Sequence, residues 1–146
     1  MFIRSCALLM LFCVSGWAHA VEYVSVSTQS AVLYDAPSAQ ATKLGTVTGA
    51  MPYEVVVTIS GWVKVRDAFG KLYWLAAHQV STKRYVLVMQ RMIDVFDSPQ
   101  FSGLVLFRAS QDVVLEWLET IDTGWVKVRH QDGEVGFVRS EGVWGG

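Results

Sequence analysis

The chain has 146 residues, 52% of them hydrophobic and 17% charged, with 12 Lys and Arg against 13 Asp and Glu. A net charge of −1 offers no basic face for nucleic acid or anionic lipid, which excludes nucleic-acid binding. Both cysteines, Cys6 and Cys13, fall within the first twenty residues, so loss of that segment leaves neither a disulfide nor a cysteine nucleophile.

Those twenty residues have the three parts of a secretory signal peptide. Arg4 supplies the positive start, an apolar run covers 6–14, and Ala18-His19-Ala20 is a small-x-small cleavage triplet ahead of Val21. The run is shorter than the roughly 18 residues a membrane span needs, so no span is expected after cleavage. The bulky Phe12 before Cys13 argues against a lipoprotein signal. Export, with a periplasmic destination, is the expectation. Removing Arg4 takes the net charge from −1 to −2, and removing 20 residues from 146 leaves 126. That is one ordinary domain or two of about 60 residues. A unit of about 60 residues buries only about 60% of its unfolded surface, so two such units are expected to pack against each other.

In chain order, 21–26 alternates as a first strand, and its Tyr23-Val24-Ser25-Val26 returns as Tyr85-Val86-Leu87-Val88, sixty-two positions later. Next, Ala31-Val32-Leu33-Tyr34-Asp35-Ala36-Pro37 matches Ile93-Asp94-Val95-Phe96-Asp97-Ser98-Pro99, a strand running into an Asp-Pro loop. A strand over 43–47, a turn over 49–52 and a strand over 53–59 follow. The second copy reads as 104–107, 109–112 and 113–118, with a longer turn before Gly124. Then Gly61-Trp62-Val63-Lys64-Val65-Arg66 recurs letter for letter as Gly124-Trp125-Val126-Lys127-Val128-Arg129. Two copies of one unit follow from this. The alternation puts Val63 and Val65 on a core face and Trp62, Lys64 and Arg66 on the other. Gly70 and Gly133 mark hairpins into Leu72-Tyr73-Trp74-Leu75 and Val135-Gly136-Phe137-Val138. The copies close at Gln79-Val80 and Gly142-Val143. The joint Ser81-Thr82-Lys83-Arg84 is too short to be a flexible linker. With no helical periodicity over a useful length, the expectation is an all-β chain of two small barrels, five strands each, over 21–81 and 85–146 after a signal peptide at 1–20.

These motifs resemble the bacterial SH3 family (SH3b): a Pro-containing loop after the first strand, a Gly-Trp strand, and a final Gly hairpin leading to an aromatic-Val step. Tyr34-Asp35-Ala36-Pro37, Gly61-Trp62 and Gly70 with Trp74-Leu75 fill these places in the first copy. Phe96-Asp97-Ser98-Pro99, Gly124-Trp125 and Gly133 with Phe137-Val138 fill them in the second. Where many members carry Asn-Val-Arg before the loop Pro, this chain has Val32-Leu33-Tyr34 and Asp94-Val95-Phe96. The resemblance implies two tandem SH3-like β-barrels and a binding or targeting role, often towards cell-wall peptides or glycans.

Catalytic parts are scarce. His78 and His130 read as surface turn residues, and there is no nucleophile elbow or helical His pair. No enzyme activity, cofactor or metal is expected. The candidate ligand-binding positions are Tyr34, Asp35, Tyr53, Trp62 and Tyr73 in the first copy and Phe96, Asp97 and Trp125 in the second. Trp62 and Trp125, on a face with Lys and Arg, could hold a peptide or sugar on a flat ring beside cations. The structural alternative is that each Trp covers the open end of its barrel. For Asp35 and Asp97 the alternative is a loop-stabilising Asx turn. Tyr34 matches Phe96, so the first copy is expected to present the wetter, ligand-like surface. The function expected is a non-enzymatic exported module for a cell-envelope component such as peptidoglycan peptide or glycan, with two sites acting by avidity on a repeating polymer. The alternative is an adaptor that docks another exported protein.

Overall fold

The computed structural model describes residues 20–146; the signal-peptide reading therefore lies outside the described residues, except at Ala20. The first copy forms β1 (Tyr23–Val26), β2 (Ser30–Tyr34), β3 (Lys43–Thr48), β4 (Pro52–Ile59), β5 (Trp62–Arg66), β6 (Leu72–Ala76) and β7 (Val80–Ser81). The second forms β8 (Tyr85–Val88), β9 (Met92–Phe96), β10 (Val105–Ser110), β11 (Val114–Ile121), β12 (Trp125–Arg129), β13 (Val135–Arg139) and β14 (Val143–Trp144). A single 3-10 turn, Ala77–Gln79 or Ser140–Gly142, precedes each last strand.

The two sheets have one topology, β3-β2-β6-β5-β4-β1-β7 and β10-β9-β13-β12-β11-β8-β14. Each unit thus has seven strands where five were expected. The closing segments add two-residue strands, because Val80 and Ser81 pair with Val26 and Ser25, and Val143 and Trp144 with Val88 and Leu87. In the second copy β10 continues through Ala109 and Ser110, and β11 runs to Ile121 rather than stopping at Leu118.

Alternation within strands sets the core. Val63 and Val65 point in with Val24, Val26, Ala31, Leu33, Tyr53 and Leu75, a single buried cluster drawn from five strands of one sheet. One face of a sheet can converge on one cluster only by curling round it. Bulges between Val55 and Val57 and between Trp117 and Glu119 sit at equivalent places and supply local bending. The copies differ by one residue in the next turn, Ser60-Gly61 against Asp122-Thr123-Gly124, which confirms the longer turn expected there. Gly61 and Gly124 have φ of +79° and +85°, a conformation open to glycine at little cost.

The barrels touch. On β8, Val86, Leu87 and Val88 are all buried, although Leu87 points away from its own core. Its cover comes from the first barrel, since Met51, Pro52 and Tyr53 line one small cavity with Leu87. Tyr23 of the first unit meets Trp144 of the second edge-on, centroids 5.4 Å apart. Between them lies Arg84, its guanidinium carbon 4.1 Å from the centre of the Trp117 ring and 5.3 Å from that of Tyr23. One Nη donates to the Gly145 carbonyl at 2.7 Å. Burial lowers the Arg84 pKa from its ordinary value.

Candidate functional site

Each barrel carries one aromatic slot at equivalent coordinates. Tyr34, the last residue of β2, and Trp62, the first of β5, meet edge to face at 5.4 Å and 89°. Phe96 and Trp125 repeat the arrangement at 5.5 Å and 90°. Both tryptophans stand on the outer face, as the alternation required, and neither belongs to the main core clusters.

The loop after the slot is built the same way twice. Asp35 Oδ1 accepts the Thr42 N–H and Asp97 Oδ1 the Leu104 N–H, both at 2.9 Å. Ser38 and Gln100 donate to Ala36 and Ser98, and Ala41 and Gly103 donate to Ser38 and Gln100. The two aspartates thus staple the loops 35–42 and 97–104 end to end, a longer closure than the Asx turn anticipated.

That equivalence exposes the difference. Ala39 occupies the loop position of Phe101. Ala76, paired with Trp62 across β5 and β6, occupies the position of Arg139, paired with Trp125 across β12 and β13. In the second barrel the Phe101 ring lies 5.2 Å from Trp125, and the Arg139 guanidinium sits 5.1 Å over Trp125 and 5.3 Å from Phe101. Arg139 also donates to the Thr123 carbonyl at 3.3 Å, which lies in the longer turn. Trp125 is left 3% exposed. Methyl groups at Ala39 and Ala76 cannot reach as far, and Trp62 remains half-buried with Tyr34 as its aromatic neighbour.

Several expected site residues stand elsewhere. Tyr53 is a correction: it is 4% exposed and belongs to the first core, because β4 turns it inward. Tyr73 packs on that core and meets Tyr53 at 6.5 Å, away from the slot. The cations on the Trp face do not flank Trp62 or Trp125. Lys64 lies over Trp74 and Lys127 over Phe137, their cross-strand partners, while Arg66 and Arg129 pair with Glu54 and Glu116. Phe101 and Arg139 were missed. Their signal was available only as a mismatch at repeat positions, Ala39 against Phe101 and Ala76 against Arg139. Among the described residues no cluster of three or more His, Cys, Asp or Glu side chains could hold a metal.

The buried Tyr53 supports a pH prediction. Desolvation, with Asp67 and Tyr73 adding to it, pushes the phenol well above its ordinary value. The folded state therefore keeps a proton that the unfolded chain gives up near pH 10, so stability falls as pH rises past about 10. Tyr53→Phe should flatten that fall in alkaline denaturation curves, leaving the smaller contributions of Tyr23 and Tyr73, whose pKa values are also raised. An unchanged slope would contradict it.

Among solved structures, the chain is similar to NlpC1 from Trichomonas vaginalis, at 10% identity over 94% of this chain and 50% of that one, with a TM-score of 0.40. An NlpC/P60 family protein from Bacillus cereus ATCC 10987 matches at 16% identity over 84% and 56%, TM-score 0.39. The endolysin LysPBC5 CBD matches at 16% identity over 86% and 94%, TM-score 0.33. The chain spans about half the length of the first two. No curated protein matches it significantly. The family model for the bacterial SH3 domain matches twice, over 27–82 and 91–145, once within each seven-stranded unit. The chain belongs to the bacterial SH3 domain family as a tandem pair of SH3-like barrels.

Proposed function

We propose that this is a non-enzymatic, exported binding module that holds a cell-envelope polymer, peptidoglycan peptide or glycan, in the aromatic slot of its first barrel. The observation that carries the reading is the contrast between two slots of one geometry, Trp125 buried under Phe101 and Arg139 and Trp62 only partly buried, with Ala39 and Ala76 at the equivalent places. A half-covered indole beside a tyrosine gives a ligand a flat apolar face and a hydroxyl. On this reading one slot per chain is used in place of the two avid sites anticipated from the repeat. An exposed apolar patch on one barrel only would favour the adaptor alternative. Large exposed apolar side chains occur on both, Phe69 and Leu72 on the first and Phe101 and Leu104 on the second, so the wall reading is preferred.

The test is co-sedimentation with purified peptidoglycan sacculi. Trp62→Ala should lower the bound fraction at least tenfold. Ala39→Phe with Ala76→Arg, which transfers the second barrel's cover to the first, should do the same with the indole still present. Wild-type protein that stays in the supernatant would sink the reading and direct the search to partners in periplasmic extract.

A further inference from the structure

We infer that the cleft between the barrels is a second binding site, for a ligand bearing a free carboxylate. It has a volume of about 600 Å³, within the usual range of small-ligand sites. The β3–β4 turn of the first barrel forms one wall (Thr48, Gly49, Ala50), and the other is formed by Lys83 of the joint with Tyr85, Glu116 and Arg129 of the second barrel. It continues into a smaller cavity of about 310 Å³ that shares Gly49, Ala50, Lys83 and Tyr85 and is lined further by Ser27, Thr28 and Gln29. The result is a polar trough along the junction.

Its charge is unbalanced. Glu116 takes Lys83 at 3.5 Å on one oxygen and Arg129 at 3.3 Å on the other. One carboxylate thus faces two cations. His130 of the lining is turned to Asp132 at 3.0 Å, so the surplus is counted on Lys83, Arg129 and Glu116 alone. Glu116 is the most covered of the three, 22% exposed at its side chain, while Lys83 and Arg129 keep 54% and 44%. Lysine has three donors and guanidinium five, so Glu116 does not exhaust the N–H groups of either cation. The turn's own N–H groups are committed, Gly49 to the Gln29 carbonyl and Ala50 to that of Val26. Recognition in the trough therefore comes from side chains whose net charge is positive, and a carboxylate is the complement. The site itself does not depend on the slot, but the source of the carboxylate, a peptide of the envelope polymer, rests on the function proposed above.

The probe is a soluble disaccharide tetrapeptide, compared with the same compound after its carboxyl groups are amidated, with Kd measured by calorimetry. The variant is Lys83→Met with Arg129→Met and Glu116→Gln, which leaves no unpaired charge, and its unfolding curve is recorded first. Should it unfold early, Lys83→Gln alone replaces it. Expected results are tenfold or greater weakening of the acidic probe by the variant, little change for the amidated probe, and a binding constant that falls with added salt. Equal affinity of wild-type protein for the two probes would overturn the inference and leave the slot reading standing if Trp62→Ala still weakens both. Weakening by the cleft variant but not by Trp62→Ala would uphold the cleft and sink the slot. No binding of either probe overturns both.

Discussion

Replacing Trp125 by Ala is expected to destabilise the second barrel by about 3–4 kcal/mol, while Trp62→Ala costs the first about 1–2 kcal/mol. The two residues occupy the same place in the same hexapeptide, so the difference isolates their surroundings. Trp125 is 3% exposed and surrendering it removes contacts with Phe96, Phe101 and Arg139. Each aromatic pair contributes about 0.5–1.5 kcal/mol beyond area burial, and a guanidinium over an indole about 0.5–2 kcal/mol. Trp62 keeps Tyr34 alone among these partners. Since a unit of about 60 residues has about 3–9 kcal/mol to lose, Trp125→Ala approaches the stability of its barrel. Urea denaturation of the two variants decides it. Equal losses would mean that Phe101 and Arg139 do not seal their slot in solution.

Arg84→Ala should separate the unfolding of the two barrels and lower overall stability by about 2–3 kcal/mol. The guanidinium is held between Tyr23 and Trp117 and donates to the Gly145 carbonyl. Its loss leaves that carbonyl without its charged donor and opens a gap in the interface. Leu87 and Pro52, buried by the neighbouring barrel, would gain water. Calorimetry should show one broadened or two resolved transitions in the variant against a single one in the parent. A single sharp transition at an unchanged midpoint would show that the apolar contacts alone couple the units. Arg84→Lys should recover little, because an ammonium cannot lie flat between two rings.

Much of the architecture was legible because strand alternation is local. Val63, Val65, Val126 and Val128 point inward and Trp62 and Trp125 outward, as period two dictates. The doubled Asp-Pro loops and glycine turns were equally local. What failed needed pairing across strands. Lys64 looked like a neighbour of Trp62 two residues away, but its nearest ring is Trp74, directly opposite on β6. Tyr53 looked like an exposed ring at a strand start. Pro52 and Tyr53 are both buried because one barrel covers its inward residue while the other covers the strand's outer side. The sealing of Trp125 joins a loop residue, Phe101, to a strand residue thirty-eight positions on, Arg139, and no local pattern carries that.

The identical hexapeptides have a consequence for how the chain reaches its native state. β5 and β12 contain the same five residues, so during folding either strand could enter the other's sheet with every backbone hydrogen bond satisfied. Tandem repeats are prone to such misassembly. Discrimination falls to the flanks. A two-residue turn delivers β5 and a three-residue turn delivers β12, and a wrongly placed strand would bring the wrong turn length and the wrong cross-strand neighbour, Arg139 where Ala76 belongs. The inserted residue beside Gly124 thus serves as an address, telling two otherwise interchangeable strands which barrel to complete.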